Sequence, residues 1–466
     1  MQDLTAIVLA AGRGTRMHSK EPKVLHEILG EPLLSYPLQL LANIGIEQQV
    51  VVIGGDEVGE AVKSTIESSF KVDWAIQVTA KGTADAVAAG LKNLDGMSGS
   101  VLILCGDVPL LTAETLKSFY DRHCQSASRM SILTAVLSDG ASYGRVLIDD
   151  AGAPLEIIEA KDATTEQLAI KRINSGTYIV DIELLREALT ETGCDNAQGE
   201  YYLTDMVAFA RRRGVTTAIY DVEDRREILG INTRSDLILL ESFMASRISR
   251  YWLENGVTVR CPESVLIGPD VKIGQDSEIS PGVSLLGTTT IGDDCHVGAG
   301  ARIKNSTIAD NVEIKPYSVL EDAEIGEQAM IGPFARIRPG SVIGAGAKIG
   351  NFVETKKVNF GKGAKASHLA YIGDAEVGAG SNLGAGTITC NYDGFNKFKT
   401  VIGKRVFIGS DSQLVAPVTL GDDVLVGAGS TVTKDVAANA IVTTRTRQKE
   451  FSGKGMAWRR RADEEK

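Results

Sequence analysis

IGEQAMIGPFARIRPGSVIGAGAKI, running from Ile325 to Ile349, places an isoleucine at 325, 331, 337, 343 and 349. An α-helix repeats its apolar contact every 3.6 residues and a lone strand every second one, so a beat of six belongs to neither. It is the signature of a hexapeptide solenoid. The same beat runs earlier through Ile267, Ile273, Ile279, Leu285, Ile291, Val297 and Ile303, and after five-residue steps through Ile308, Ile314 and Leu320. It returns later at Ile402, Ile408, Leu414, Leu420, Val426 and Val432. Three hexads close one triangular coil of about eighteen residues, with the aliphatic residue inward on each face and Gly, Asp, Asn or Pro at the corners. Each coil stacks ~4.8 Å on the next as a parallel strand layer. Such a coil is a scaffold and specifies no activity.

At 466 residues the chain exceeds one core, and its shift from mixed composition to Gly-rich hexads predicts two domains, with an α/β domain first and the solenoid second. A hydrophobic content of 43% is that of a globular protein. No apolar run approaches the roughly 20 residues of a membrane span, which argues against a membrane role. The run Ala6 to Ala11 has no basic segment before it and reads as a buried strand, not a leader. Six scattered cysteines with no CxxC pair fit a reducing cytoplasm. A net charge of −11 argues against nucleic acid as the principal partner, so any anionic substrate must be met by local cations.

Upstream of the solenoid, short apolar runs alternate with helical patterns. Thr5–Ala11, Gln49–Gly54, Asp73–Gln77, Ser100–Cys105 and Met130–Val136 read as strands, and Tyr36–Gly45, Thr83–Leu94 and Ala113–His123 as helices. That alternation predicts a mostly parallel, doubly wound sheet with its ligands beyond the carboxyl ends of the strands. Arg234–Glu254 reads as a long helix with Leu237, Leu240, Met244, Ile248 and Tyr251 on one face, carrying the chain from one domain to the next. The expected boundaries are 1–232, a linker helix at 233–255, and 256–466.

After the first strand comes LAAGRGTRM, Leu9 to Met17, with Lys23 following in EPKVL. Gly12 and Gly14 let backbone N–H groups close on phosphate oxygens, and Arg16 and Lys23 supply charge where an anionic leaving group would develop. The spacing is G-x-G-x-R, neither GxGxxG nor a P-loop. After the fourth strand stands CGDVPL, with Asp107 placed as a Mg²⁺ ligand should be, and Asn232 in GIN can complete a carboxylate-plus-amide site. In the solenoid the beat is interrupted from Asn351 to Tyr392, where Lys356, Lys365, Asn382 and Asn391 flank His368, one of five histidines. Departures from local consistency mark functional sites.

LAAGRGTRM, EPKVL, QVTAKGTADA, CGDVPL, YGRV, IIEAKDA, INSGTY, QGEYYLTD and GIN, followed by hexads, resemble in order the bacterial bifunctional enzymes that join N-acetylglucosamine-1-phosphate uridylyltransferase to glucosamine-1-phosphate N-acetyltransferase. The resemblance covers nearly the whole chain. It implies a Rossmann-like nucleotidyltransferase domain followed by a left-handed parallel β-helix, an exception to right-handed crossover. It places the uridine nucleotide and sugar over Leu9, Ala10, Ala11, Gly12, Lys23, Gln77, Gly82 and Thr83, with Gly144, Glu159 and Asn174 on the sugar and ribose side, and Mg²⁺ on Asp107 and Asn232. Cys105 stands where the resemblance suggests a tyrosine, and reads as a buried strand cysteine.

N-acetyl transfer needs a base to deprotonate the attacking amine, and His368 is the expected one. Arg338, Lys356 and Lys397 would meet the phosphate of glucosamine 1-phosphate, while Tyr371, Asn382 and Asn391 offer hydrogen bonds, and Glu354 is a candidate to orient His368. The resemblance lays acetyl-CoA along Ala385, Asn391, Tyr392, Ser410, Ala428 and Arg445, with Ser410 the candidate donor to the thioester oxygen. Flat solenoid faces and the resemblance both imply a homotrimer; the tail residues Trp458 to Arg461 offer stacking and charge to fold over a neighbour's CoA, and read equally as a plain solubilising end. Rival readings are a nucleotidyltransferase whose solenoid only oligomerises it, a regulatory subunit, and a zinc hydratase. The last needs three histidines around one metal, whereas His296 and His368 lie about four coils apart.

Overall fold

The computed structural model describes residues 4–452 and 454–455, which divide between Arg247 and Ile248 into two compact units. In the first unit the run LTAIVL is apolar but for Thr5, and Ala6, Ile7 and Val8 are fully buried. A strand buried on both faces belongs at the centre of a parallel sheet. This strand, β1 (Leu4–Leu9), is parallel to both β2 (Gln49–Gly54) and β4 (Ser100–Cys105), with β3 (Asp73–Gln77) beyond β2. Further along lie β5 (Met130–Val136), the hairpin β6 (Arg145–Ile148) and β7 (Pro154–Ile158), β8 (Arg172–Asp181) and β9 (Thr217–Asp221). The order is β9-β5-β8-β4-β1-β2-β3, with β6 joined to β8 and β7. The chain therefore leaves β1 toward β2 and β3, then returns to β4 on the other side. The switch point lies between β1 and β4, and the loops after these two strands face each other there.

The five expected strands form, but β1 ends at Leu9. Ala10 and Ala11 thus belong to the loop, the first of them still donating its N–H to Val52 O at 2.8 Å. The hairpin and β8 were absent from the sequence reading; β8 runs antiparallel to β4 and β5 and carries Asn174 into the sheet.

The second unit is a left-handed parallel β-helix. One face is an 11-stranded sheet from Thr258–Val259 to Ile441–Val442, and the other two run together as a 17-strand series. Val297, Ile314, Ile331 and Ile349 stack in register, in steps of 17 or 18 residues, and none is solvent-exposed. Corner residues take left-handed backbone, among them Tyr317, Phe334 and Phe352 at φ 58°, 53° and 55°. Their rings stack at 5.3 and 5.4 Å, which offsets some of that conformational cost.

The expected interruption from Asn351 to Tyr392 is mostly not one. Coils continue through the strands Glu354–Phe360, Lys365–His368 and Tyr371–Val377. The beat was hidden because Thr355, Ala366 and Thr389 take inward positions usually held by aliphatics. The two threonine hydroxyls are satisfied inside, Thr355 against Ser341 at 3.2 Å and Thr389 against Gly373 O at 3.0 Å. A true excursion occurs once, after Cys390, and lengthens the step from Leu383 to Ile408 to 25 residues.

The helix Arg234–Glu254 forms as expected. Its start is a reciprocal cap in which Asp236 N–H donates to Thr233 Oγ1 at 3.2 Å and Thr233 N–H to Asp236 Oδ2 at 2.8 Å. Leu237, Leu240 and Met244 are buried, while Ile248 packs on the solenoid core. Tyr251 does not share that face: it is 56% exposed, and Trp252 takes its place against the core. Among the described residues no helix is long and apolar enough to cross a membrane.

Candidate active sites

At the switch point the first loop is drawn tight. Gly14 has φ 60°, and a Cβ there would collide with the Lys23 side chain, so glycine is required for the loop to close over it. Lys23 Nζ pairs with Asp107 Oδ2 from the loop after β4. Arg16 Nη2 donates to Asn232 Oδ1 at 2.7 Å, and Asn232 is fixed because its own N–H donates to the capping carboxylate of Asp236 at 3.0 Å. Ile231 N–H donates to Asp107 O at 3.1 Å, joining the GIN segment to CGDVPL.

These contacts test whether the site suits Mg²⁺. Each oxygen in question already holds a cationic side chain, so both face positive charge. A carboxylate and an amide carbonyl on adjoining segments are the sparse, hard-oxygen set that Mg²⁺ accepts, with water and phosphate oxygens filling its shell. The residues fit the ion.

Next to this lies a cavity of about 210 Å³ lined by Leu9, Thr83, Gly144, Glu159 and Asn174, together with Tyr143. Five of the expected binding residues thus meet, from five separate segments. Asn174 N–H donates to Gly144 O at 2.9 Å, and Thr83 Oγ1 accepts from Leu203 N–H at 3.0 Å, so the motifs QVTAKGTADA and QGEYYLTD form one wall. Glu159 is pushed above the ordinary carboxylate range by burial, opposed by a hydrogen bond from Thr204 at 3.3 Å. Gln77 does not line the cavity; its Nε2 donates to Gly82 O at 3.0 Å and to Asp85 at 2.8 Å, shaping the loop from within. The Cys105 thiol lines the cavity, and burial pushes its pKa up to about 12, so it is an inert wall and no nucleophile.

In the solenoid, His368 sits at a corner and shares its register with Asn351 one coil earlier. Pairing of Ala366 with Leu383, Leu383 with Ile408 and Ile408 with Val426 puts Ala385, Ser410 and Ala428 in the same corner file. Backbone bonds tie this file together, Asp411 N–H to Ala385 O at 2.7 Å and Gly429 N–H to Ser410 O at 2.8 Å. Arg445 reaches Ala428 O at 3.3 Å. Small side chains at ~4.8 Å spacing leave a shallow track leading away from His368.

Round the corner, Arg338 Nη1 pairs with Glu354 Oε1 at 2.8 Å, and Tyr371 pairs in register with Glu354. Glu354 is thus engaged by Arg338, not by His368. Lys397 is pushed below the ordinary lysine range by its close neighbour Lys356, whose charge disfavours a second proton-bearing ammonium beside it. Two cations pressed together are a site waiting for an anion. Asn391 donates to Asp374, the Tyr392 hydroxyl to Gly394 O, and Asn382 pairs in register with Lys365 on the flat face. Trp458 to Arg461 lie outside the described residues.

Residues 6–161 match the MobA-like NTP transferase domain, 257–359 the GMPPB C-terminal domain and 399–434 six repeats of the bacterial transferase hexapeptide. The Bifunctional protein GlmU of Exiguobacterium sibiricum is 46% identical over 443 residues, covering 95% of this chain and 98% of its own. The chain belongs to the bifunctional GlmU family. Further GlmU relatives are those of Pelobacter propionicus, 45% identical over 96% of this chain and 97% of theirs, and of Syntrophotalea carbinolica, 46% identical over 99% and 98%.

In this GlmU chain the most consequential residue that the motifs did not single out is Arg145. It is 2% exposed, and its guanidinium donates to the carbonyl oxygens of Gly140 at 3.2 Å, Ala141 at 3.3 Å, Leu168 at 3.3 Å and Tyr143. It folds the loop that presents Gly144. Tyr143 in turn accepts from Gly230 N–H at 3.0 Å, linking this loop to the segment that holds Asn232. Gly373 is the solenoid counterpart, since a Cβ there would strike the Tyr371 ring. Burial marks Arg145 and the close approach of the Tyr371 ring marks Gly373, and a single sequence shows neither.

Proposed function

We propose that this chain makes UDP-N-acetylglucosamine in two steps, acetylating glucosamine 1-phosphate in the solenoid and then transferring uridylyl from UTP in the α/β unit. The α/β domain would span 1–232, the link 233–255 and the acetyltransferase domain 256–466. In the acetyl step His368 takes a proton from the amine of glucosamine 1-phosphate as its nitrogen attacks the thioester carbon; the C–S bond breaks and CoA leaves as the thiol. Lys356, Lys397 and Arg338 hold the sugar phosphate, Tyr371, Asn382 and Asn391 meet its hydroxyls, and the CoA arm runs along Ala385, Tyr392, Ser410, Ala428 and Arg445.

In the uridylyl step the phosphate oxygen of N-acetylglucosamine 1-phosphate attacks the α-phosphorus of UTP, and the bond to the departing pyrophosphate breaks. No enzyme-bound intermediate is needed, so the residues position and neutralise. Leu9 to Gly12, Gln77, Gly82 and Thr83 cradle the nucleotide; Gly144, Glu159 and Asn174 hold the sugar. Asp107 and Asn232 would hold Mg²⁺, which when bound supplies charge neutralisation at the phosphates. Lys23 and Arg16 would then be free to turn from these oxygens to the triphosphate. We place the protein in the cytoplasm as a homotrimer acting on small molecules, with neither nucleic acid nor membrane as partner.

The observation that carries this reading is that two chemically different sites occupy separate units of one chain, a Lys–Asp switch-point site and a histidine corner beside a lysine pair. Purified protein is assayed for thiol release from acetyl-CoA with glucosamine 1-phosphate, and for pyrophosphate release from UTP with N-acetylglucosamine 1-phosphate and Mg²⁺. Both signals are expected. Pyrophosphate alone would reduce the solenoid to a scaffold, and thiol alone would refute the α/β assignment.

A further inference from the structure

Asn351 carries a buried amide oxygen that accepts no hydrogen bond. A buried, unpaired acceptor costs about 1–3 kcal/mol in general, and one beside a reactive group calls for an explanation. Asn351 is the in-register partner of His368 on the adjacent parallel strand, so the two side chains start from backbone positions about 4.8 Å apart and project the same way. On the other side, Ile331 pairs with Ile349, which brings Pro333 under Asn351, and a proline has no N–H to give. The backbone between them is already tied, because Leu369 N–H donates to Asn351 O at 3.0 Å. His368, exposed at the corner, makes no hydrogen bond through its ring among the described residues. One ring nitrogen of a neutral imidazole is a donor and the other an acceptor.

We propose that Asn351 is a positioning residue for acetyl transfer: its side-chain oxygen accepts the N–H of one His368 ring nitrogen, fixing the tautomer in which the other nitrogen faces the substrate amine. This deepens the reading of His368 as base and rests on it. Making that bond requires the ring to turn toward the preceding coil. In this assignment Asn351 acts through the histidine and not on the amine or the thioester. Other ionisable groups nearby are Lys348 and Lys365 on the same face and Glu354 and Tyr371 round the corner. They are common to all variants, so differences between pH profiles report the pair.

The test compares full-length wild type, N351A, N351D and H368A. Acetyl transfer is followed against pH, with uridylyl transfer as the folding control and the ring tautomer read by ¹⁵N NMR of labelled histidine. In N351A, kcat for acetyl transfer should fall roughly ten- to a hundredfold, as for other residues that orient a base, with KM and uridylyl transfer unchanged and the tautomer mixed. In N351D, which keeps an acceptor oxygen and adds charge, much of the rate should return with the acid limb of the profile at higher pH. The proposal is overturned if N351A stays within about twofold of wild type, or if it loses rate while the tautomer is unaltered and N351D leaves the profile unshifted. Wild-type acetyl transfer in H368A would instead refute the histidine as base, whatever Asn351 does.

Discussion

Arg16 Nη2 and Asn232 Oδ1, 216 residues apart in the chain, meet at 2.7 Å beside the Lys23–Asp107 pair. Lys23 thus pairs with a carboxylate and Arg16 with a neutral amide oxygen, and if the proposed Mg²⁺ took these two oxygens both cations would be released to meet the triphosphate.

Replacing Asp107 by alanine removes one of those oxygens and leaves Lys23 without its acceptor. Uridylyl transfer should fall by about 10²–10³-fold, the cost of losing a main electrostatic stabiliser. Binding of Mn²⁺, read by electron paramagnetic resonance as a probe for Mg²⁺, should weaken in parallel. Acetyl transfer by the same preparation should be unchanged, and an equal loss of both activities would count against separate sites.

Arg145 is buried with no acidic partner among the described residues and bridges four carbonyl oxygens. R145A leaves those oxygens short of donors and frees the loop that carries Gly144. The α/β unit should lose roughly 2–4 kcal/mol in urea unfolding, since several charge-assisted bonds go at once. The KM for N-acetylglucosamine 1-phosphate should rise. R145K should rescue little, because an ammonium cannot reproduce the planar fork.

These two sites explain how far the sequence could be read. The solenoid was legible because its inward residues repeat along the chain, as Ile331, Ile337 and Ile349 do. The β-helix was hardest to follow where Thr355 and Ala366 replaced aliphatics, since inward burial does not require a large side chain there. Loop motifs such as LAAGRGTRM were legible because glycine and charge are rare in that pattern. Arg145 was not, because a charge reads as surface until the fold traps it among carbonyls. Lys356 and Lys397 were expected to share one phosphate, and what the sequence did not show is that one excursion of the coil after Cys390 separates the strands on either side by 25 residues.

Glu159 offers a pH signature. Burial raises its carboxyl above the ordinary value of 4.5, and in its proposed role the ionised form is the stronger acceptor for sugar hydroxyls. As pH falls, the proton is taken up earlier than by an exposed glutamate, so KM for N-acetylglucosamine 1-phosphate should begin to rise above pH 4.5. E159Q should flatten that rise while giving a weaker KM at pH 8. The folded state holds more protons than the unfolded one between 4.5 and the raised value, so stability falls as pH increases through that window, and E159Q should remove this slope. Urea titrations of both proteins across the range would measure it.

Lys356 and Lys397 set the opposite limb for the acetyl step. Their contact lowers Lys397 below the ordinary 10.5, so the free enzyme loses that proton at a lower pH than an isolated lysine would. A bound phosphate dianion relieves the repulsion and favours the proton. Affinity for glucosamine 1-phosphate should therefore fall as pH rises through the lowered value. K356A removes the neighbouring charge and should move this alkaline limb up toward 10.5, while raising KM near neutrality by about tenfold through loss of a charge-assisted contact. Inorganic phosphate should compete with the sugar phosphate in wild type and compete poorly in K356A, with the effect shrinking at high salt. If K356A left both the limb and phosphate competition in place, the lysine pair would be a surface coincidence and the sugar phosphate would have to be held by Arg338 alone.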